Sequence, residues 1–178
     1  MRAPRAACLT VVAALAVLAG GCDTLNDSKT VLFGTGSGLT APLVGIGSAA
    51  KGAVSFAQFP NNVALNLTIS DLPTGRYRVV IHANGLCNSP NGFSAGPPWS
   101  PPGVTPPLPE QIQPFVVSGD IPTQVSVRIR GVTLDGPNSL LGRSVVVHSG
   151  SQGSLEAVPN VRNDRVACGV IGPVGSLF

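Results

Sequence analysis

The stretch YRVVIHANGLC, Tyr77–Cys87, is the segment around which the rest of the chain is organised. Its first half is rich in β-branched residues, which predicts a β-strand, and Asn84-Gly85 predicts a turn after it. The strand ends in His82, one of only two histidines in the chain, and the turn leads to Cys87. A histidine and a cysteine at the end of one strand can serve a metal site or a disulfide, and the other residues of the chain decide between these roles.

Further strands are predicted on both sides of this stretch. Val63–Ile69 and Val125–Arg130 alternate between apolar and polar residues, as half-buried strands do. Pro60–Asn62 and Asp71–Gly75 have the composition of turns. The chain holds 22 glycines and only 11% charged residues, and it shows no convincing helical period. The pattern therefore predicts an all-β protein, an antiparallel sandwich or barrel.

A proline-rich segment interrupts the strands. Prolines recur throughout residues 88–114, and this composition argues against a helix or a central strand. We expect a long, stiff surface loop of polyproline character. Long ordered loops are often functional, so residues 97–114 are a candidate binding surface for a protein partner. The alternative is that the loop only wraps the barrel and covers apolar surface.

The first residues have the composition of a secretory signal peptide. A basic start and a short apolar run end in small residues directly before Cys22. The run is shorter than the about 20 residues that span a bilayer. Small residues before a cysteine are typical of bacterial lipoproteins, in which Cys22 would become the lipidated N-terminus; ordinary secretion is the alternative. We expect a signal peptide at 1–21, a tether and Gly-rich segment at 22–45, and a domain at 46–178. The predicted location is the cell envelope, with the protein membrane-anchored outside the cytoplasm.

The charge of the mature chain is close to zero. Lys and Arg together number 11 and Asp and Glu 8, giving +3. Loss of Arg2 and Arg5 with the signal peptide lowers this to +1. The sequence contains no basic patch, so it gives no indication of a nucleic-acid partner.

The cysteines divide by position. Cys8 lies in the predicted signal peptide and Cys22 is lipidated or free, so Cys87 and Cys168 remain. Export brings them to an oxidising compartment, where one disulfide is the simplest account. Two buried thiols are the alternative. A disulfide closing a loop of about 80 residues stabilises a fold by about 4–5 kcal/mol in the chain-entropy model.

The order of several motifs resembles that of copper/zinc superoxide dismutases, over about residues 50 to 172. The C-terminal motifs of that family are similar to Gly142–His148 and Arg165–Gly172. Its earlier motifs are similar, in the same order, to Gly52–Gln58, Leu72–Gly75, Tyr77–Cys87, Ser94–Pro97 and Gly119–Pro122. The resemblance implies a Greek-key antiparallel β-barrel with a Cys87–Cys168 disulfide.

The resemblance also implies a metal site, of which few ligands remain. The family binds copper through four histidines and zinc through three histidines and an aspartate, one histidine being shared. His82 and His148 match two copper positions, and Asp120 matches the zinc aspartate. The remaining comparable positions fall on Val80, on Pro98 and near Val117.

Two further positions bear on the chemistry that the resemblance implies. Arg165 matches the family's anion-guiding arginine; the alternative role is to bond loop carbonyls near the disulfide. The residues after His148, Ser149–Gln152, offer no carboxylate, so we expect the acidic group that orients the family's ligands to be absent.

Two functions are predicted. The first is an exported lipoprotein whose superoxide dismutase-like domain is catalytically degenerate, holds no cofactor and acts as a structural or binding module. Asp120 alone cannot hold zinc, because a structural zinc site needs about four ligands. The alternative is a residual superoxide dismutase or a copper-binding protein using His82 and His148, and two ligands would suit Cu(I) better than Cu(II).

Overall fold

The structure, a computed structural model, describes residues 38–150 and 164–175, and nine strands are its main elements. The strands are β1 (Leu39–Gly45), β2 (Lys51–Phe59), β3 (Asn62–Ser70), β4 (Gly75–His82), β5 (Phe115–Val117), β6 (Thr123–Ile129), β7 (Ser144–Ser149), β8 (Arg165–Val170) and β9 (Gly172–Pro173). A 3₁₀ turn at Phe93–Ala95 and a short helix, α1 (Leu108–Gln111), lie between β4 and β5. No helix in the described ranges has the length and apolar character needed to cross a membrane. The predicted signal peptide and Cys22 lie outside the described residues.

The strands form one antiparallel sheet that curls into a nearly closed barrel. Its order is β5-β4-β7-β8-β1-β2-β3-β6, with β9 added beside β1. β3 pairs with β6 and β4 pairs with β7. The connections from β3 to β4 and from β6 to β7 therefore cross between strands that are not neighbours, which is the Greek-key connectivity. The predicted all-β Greek-key barrel is confirmed.

The barrel begins earlier than the boundary at residue 46 that the sequence predicts. Leu39, Ala41 and Leu43 are buried, and β1 pairs with β2 along most of its length. Glycines and Pro42 hide this alternation in the sequence. Pro42 is tolerated because β1 pairs with β8 only at Val44 and Gly45, so its missing N–H lies outside that ladder.

The core lies inside the barrel and has the alternation expected from the sequence. Along β3 the apolar residues Val63, Leu65, Leu67 and Ile69 are all buried. Each fully buried side chain of this size stabilises the fold by about 1.5–3 kcal/mol relative to an exposed one.

The proline-rich loop contributes to this core. Leu108 and Ile112 are buried in the main apolar cluster, so at these two residues the loop covers the barrel, as the wrapping alternative predicts. The expectation that this segment contains no helix is wrong for Leu108–Gln111. Proline is compatible with the first turn of a helix, because the N–H that it lacks would have no partner there.

Candidate functional site

The two histidines lie on neighbouring antiparallel strands. His82 is the last residue of β4, and His148 is the fifth residue of β7. In the β4–β7 register the Val80–Val146 pair stands between them. Val79 and Val147, the next residues along each strand, belong to the main core. Because side chains alternate across a sheet, the histidines lie on the opposite, outer face of the barrel.

The imidazole rings of His82 and His148 meet end to end. Their Nε2 atoms are 3.1 Å apart, the ring centroids are 5.3 Å apart, and the ring planes differ by 12°. Ring bonds of about 1.33 Å place each ring atom about 1.1 Å from its centroid. The centroid separation therefore equals the nitrogen separation plus two ring radii. Both Nε2 atoms lie on the line between the rings, and each points at the other.

The other nitrogen of each ring has its own acceptor. His82 Nδ1 lies 2.8 Å from the carbonyl oxygen of Gly96, and His148 Nδ1 lies 3.1 Å from Oδ2 of Asp164. A carbonyl only accepts, so Nδ1 of His82 donates to Gly96, and Nε2 of the neutral ring accepts. Nε2 of His148 then donates to His82. Nδ1 of His148 faces the carboxylate of Asp164, so Gly96, His82, His148 and Asp164 form one continuous row of hydrogen-bonding contacts.

Burial sets the charge preferences within this row. His82 is 0% exposed and His148 7% exposed. Burial lowers the pKa of His82 to about 4, which favours its neutral form. Burial acts to raise the pKa of Asp164, but the hydrogen bond and charge of His148 outweigh it and hold that pKa below its usual value. The row therefore pairs a neutral ring with an ionised carboxylate through His148.

Asp164 is a site residue that the sequence did not reveal. The expectation that no carboxylate orients His148 is wrong, because it considered only the four residues after the histidine. Asp164 lies 16 residues further along and comes back beside β7, where its backbone oxygen accepts a hydrogen bond from the N–H of Ser149. The signal that could have revealed Asp164 is the antiparallel pairing of β7 with β8. This pairing places Arg165, the residue after Asp164, opposite His148.

The residues that the sequence predicts at other ligand positions of the family, Val80, Pro98 and the region of Val117, have no metal-binding side chains. Val80 and Val117 are buried, and Pro98 forms an isolated bridge with His82. Asp120 is exposed on the connection from β5 to β6. No group of three or more His, Cys, Asp or Glu side chains that could hold an ion occurs in residues 38–150 and 164–175. Asp164 adds no ligand to the pair, because it contacts the nitrogen of His148 that faces away from His82.

Arg165 holds the loop that carries Gly96. Its Nη1 donates to the carbonyl of Gly92 at 2.6 Å, and its Nη2 donates to the carbonyl of Gly96 at 3.2 Å. The guanidinium also lies 4.9 Å from the ring centroid of Phe93. These contacts correspond to the loop-bonding role. They also link Arg165 to His82, because the carbonyl of Gly96 serves both.

The conformation of Gly96 is specific to this glycine. Its φ of 76° is in the left-handed region, which favours glycine. A Cβ atom there would lie 2.7 Å from Nδ2 of Asn84. The carbonyl that orients His82 thus depends on a residue without a side chain.

The predicted disulfide is confirmed. Cys87 and Cys168 are bonded, with Cα atoms 5.7 Å apart and 81 residues of separation. The bond fastens the loop that follows β4 to the middle of β8. Because Gly96 lies in that same loop, the disulfide and Arg165 both fix the position from which Gly96 orients His82.

The comparisons with known proteins agree with this architecture. The family model for copper/zinc superoxide dismutase matches residues 50–171. The chain belongs to this family. It is also 32% identical over 140 residues to "Superoxide dismutase [Cu-Zn] 2" of Brassica juncea, which is 70% of this chain and 91% of that protein. The family's metals are therefore the ones to test against the side chains present.

The donor set does not fit zinc and fits copper only in part. Asp120 is a single exposed ligand, whereas a closed zinc site needs four. For copper, two in-line metal–imidazole bonds of about 2.0 Å require Nε2 atoms about 4 Å apart, so the observed 3.1 Å must open by about 1 Å. Two opposed nitrogens lack the tetragonal ligand set that suits Cu(II). The pair fits a two-coordinate monovalent ion.

Proposed function

We propose that this protein is an exported lipoprotein whose superoxide dismutase-family domain is catalytically degenerate and serves as a structural or binding module. One observation supports the loss of activity: Nε2 of His82 and Nε2 of His148 are hydrogen-bonded to each other. The resemblance to the family, which assigns other ligand positions to Val80, Pro98 and the region of Val117, agrees with it. Dismutation needs a copper that is stable in two charge states, and ligand geometry and outer-shell groups set that property. Two opposed imidazoles support only the lower charge state.

Metal analysis and an activity assay test the loss of activity. The protein is purified from an oxidising compartment, and an aliquot is loaded with copper and zinc and freed of excess ions. We expect neither metal in stoichiometric amount as purified. After loading, we expect superoxide removal no faster than with a matched His82→Ala/His148→Ala variant. One copper and one zinc per chain, with activity above that variant, would overturn the proposal.

The lipoprotein part of the proposal rests on the small residues before Cys22. Cells that express the full chain are labelled with a fatty acid and fractionated. We expect the label and the protein in the membrane fraction, and loss of both from that fraction for Cys22→Ser. An unlabelled protein that stays soluble in both forms would show ordinary secretion.

The binding role is assigned to the exposed face of the proline-rich loop. Pro102 and Pro106 are exposed, whereas Leu108 and Ile112 are fixed in the core. A photo-crosslinking side chain at position 102 in cells should give a discrete adduct of one envelope protein. The same group at exposed Val116 is the control. Identical adduct patterns, or none, at the two positions would exclude the loop as a specific binding surface.

A second function, copper(I) binding, is favoured by the end-to-end geometry of His82 and His148. When Nε2 of His148 releases to the buffer the hydrogen that it donates to His82, the two opposed Nε2 atoms supply the lone pairs that a two-coordinate ion requires. In a competition titration with a chromophoric Cu(I) chelator, we expect the wild type to take one Cu(I) per chain. His148→Ala should take none, and equal titrations of the two proteins would exclude the site.

A further inference from the structure

We infer that Asp164 is a positioning residue that holds His148 in line with His82 and thereby sets the affinity of the pair for a monovalent d¹⁰ metal ion. The inference rests on the second proposed function, copper(I) binding. It adds a residue outside the ligand set and the class of ion that this residue favours.

The orientation of each imidazole ring matters more in this two-histidine site than it would in a site with many ligands. A two-coordinate ion is held by only two metal–nitrogen bonds. Rotation of either ring away from the line that joins the two Nε2 atoms would break one of these two bonds. His148 can turn about its Cβ–Cγ bond unless its outer nitrogen is held. Oδ2 of Asp164, 3.1 Å from Nδ1, is the acceptor that holds it. At the other end, the carbonyl of Gly96 holds His82 at 2.8 Å.

The two acceptors differ in charge. Gly96 contributes a neutral carbonyl at one end of the pair, and Asp164 contributes a carboxylate at the other. A carboxylate on the outer N–H of a ligating imidazole fixes its orientation and raises its basicity. The negative charge of Asp164 also offsets the charge of a bound cation. Arg165, which acts on both His82 and Asp164, contributes the opposing positive charge.

Burial makes this single carboxylate important. His82 and His148 are nearly excluded from water, whereas the side chain of Asp164 is 31% exposed. A cation held between the two rings is poorly screened by solvent, and a nearby fixed negative charge has a correspondingly larger effect. Asp164 reaches this position from just before β8, so it takes the place of the carboxylate that is missing after His148.

Silver(I) is a suitable probe, because it is monovalent and needs no reductant that would open the Cys87–Cys168 disulfide. The full chain, with free thiols alkylated beforehand, is titrated with silver nitrate in chloride-free buffer. Wild type is compared with Asp164→Ala, Asp164→Asn, His148→Ala and Asp120→Asn. The last variant removes the same charge from an exposed loop as Asp164→Asn and serves as its control.

We expect Asp164→Ala to weaken silver binding about 10–100-fold, the usual cost of removing an outer partner of a metal-bound histidine. Asp164→Asn keeps an acceptor oxygen and should lose less. His148→Ala should abolish binding, and Asp120→Asn should equal the wild type. Imidazole ¹⁵N resonances provide the second measurement: silver should shift Nε2 of both histidines in the wild type, and the shift of His148 should be smaller in Asp164→Ala.

The possible failures are distinguishable. Silver binding that is lost in His148→Ala but unchanged in both Asp164 variants would overturn the role of Asp164 and leave the histidine site standing. Equal binding by wild type and His148→Ala would overturn the copper(I) proposal and this inference with it. If Asp164→Ala loses the dispersed backbone resonances of a folded barrel, Asp164→Asn decides, and wild-type affinity in that variant together with an unchanged ¹⁵N shift would overturn the inference.

Discussion

The disulfide and the histidine pair fasten the same loop to the barrel in different ways. Cys87–Cys168 is a covalent bond between the loop after β4 and strand β8. His82 holds the same loop through the carbonyl of Gly96 and reaches β7 through His148. The structural cross-link of the family is complete here, whereas its copper site consists of two rings hydrogen-bonded to each other. The barrel and loop are thus preserved independently of a complete ligand set.

Removing the disulfide should have the largest effect on stability. Cys87→Ala/Cys168→Ala opens an 81-residue loop, and we expect the free energy of unfolding to fall by about 4–5 kcal/mol. Urea titration followed by circular dichroism measures it. A loss below about 1 kcal/mol would show that Arg165 and His82 hold the loop without the covalent bond.

The second-largest effect on stability should come from acid, through the protonation of His82 in the metal-free protein. Its folded-state pKa of about 4 lies below the usual 6.5, so between these values the unfolded chain binds a proton that the folded one does not. Stability should be fully present above about pH 6.5, decline toward pH 4 by about 3 kcal/mol, and change no further through His82 below that.

The groups that face His82 permit a control for this pH dependence. They are His148, Arg165 and Asp164. Asp164 has a lowered pKa, so its contribution is lost only below its ordinary value near 4, outside this window. His82→Gln should abolish the slope between pH 6.5 and 4, and a slope that survives in this variant would assign it to other groups.

Loss of the two hydrogen bonds that Arg165 donates to the loop should lower the stability by somewhat less than acid does. Arg165→Lys keeps a positive charge but cannot donate to Gly92 and Gly96 at once. We expect the free energy of unfolding to fall by about 2 kcal/mol, with faster hydrogen exchange at the loop amide of Ala95, which bonds to Gly92. A stability equal to wild type would mean that the disulfide alone fixes the loop.

The smallest effect should come from Asp120. Its side chain is exposed, and we expect Asp120→Asn to change stability by less than about 0.5 kcal/mol. Addition of zinc should not change this result. A zinc-dependent rise in the unfolding temperature that is lost in Asp120→Asn would instead identify a zinc site around this residue.

Short-range patterns in the sequence predicted much of the fold. The alternation of Val63–Ile69 specified a half-buried strand, because period-two burial is a local property of strands. The predicted signal peptide left Cys87 and Cys168 as the simplest pair to form a disulfide. Local patterns failed at β1, where Pro42 and glycines conceal the alternation, and at α1, where prolines occupy a first helical turn.

The sequence by itself determined that the chain has only two histidines, and it predicted that most of the family's other ligands are missing. Identity at each position is enough for that conclusion. Only the tertiary structure decided that Nε2 of His82 and Nε2 of His148 point at each other, and that Asp164 stands behind His148. Both depend on strand register and on where a loop returns to the sheet, because hydrogen-bond geometry is set by atoms far apart in the chain.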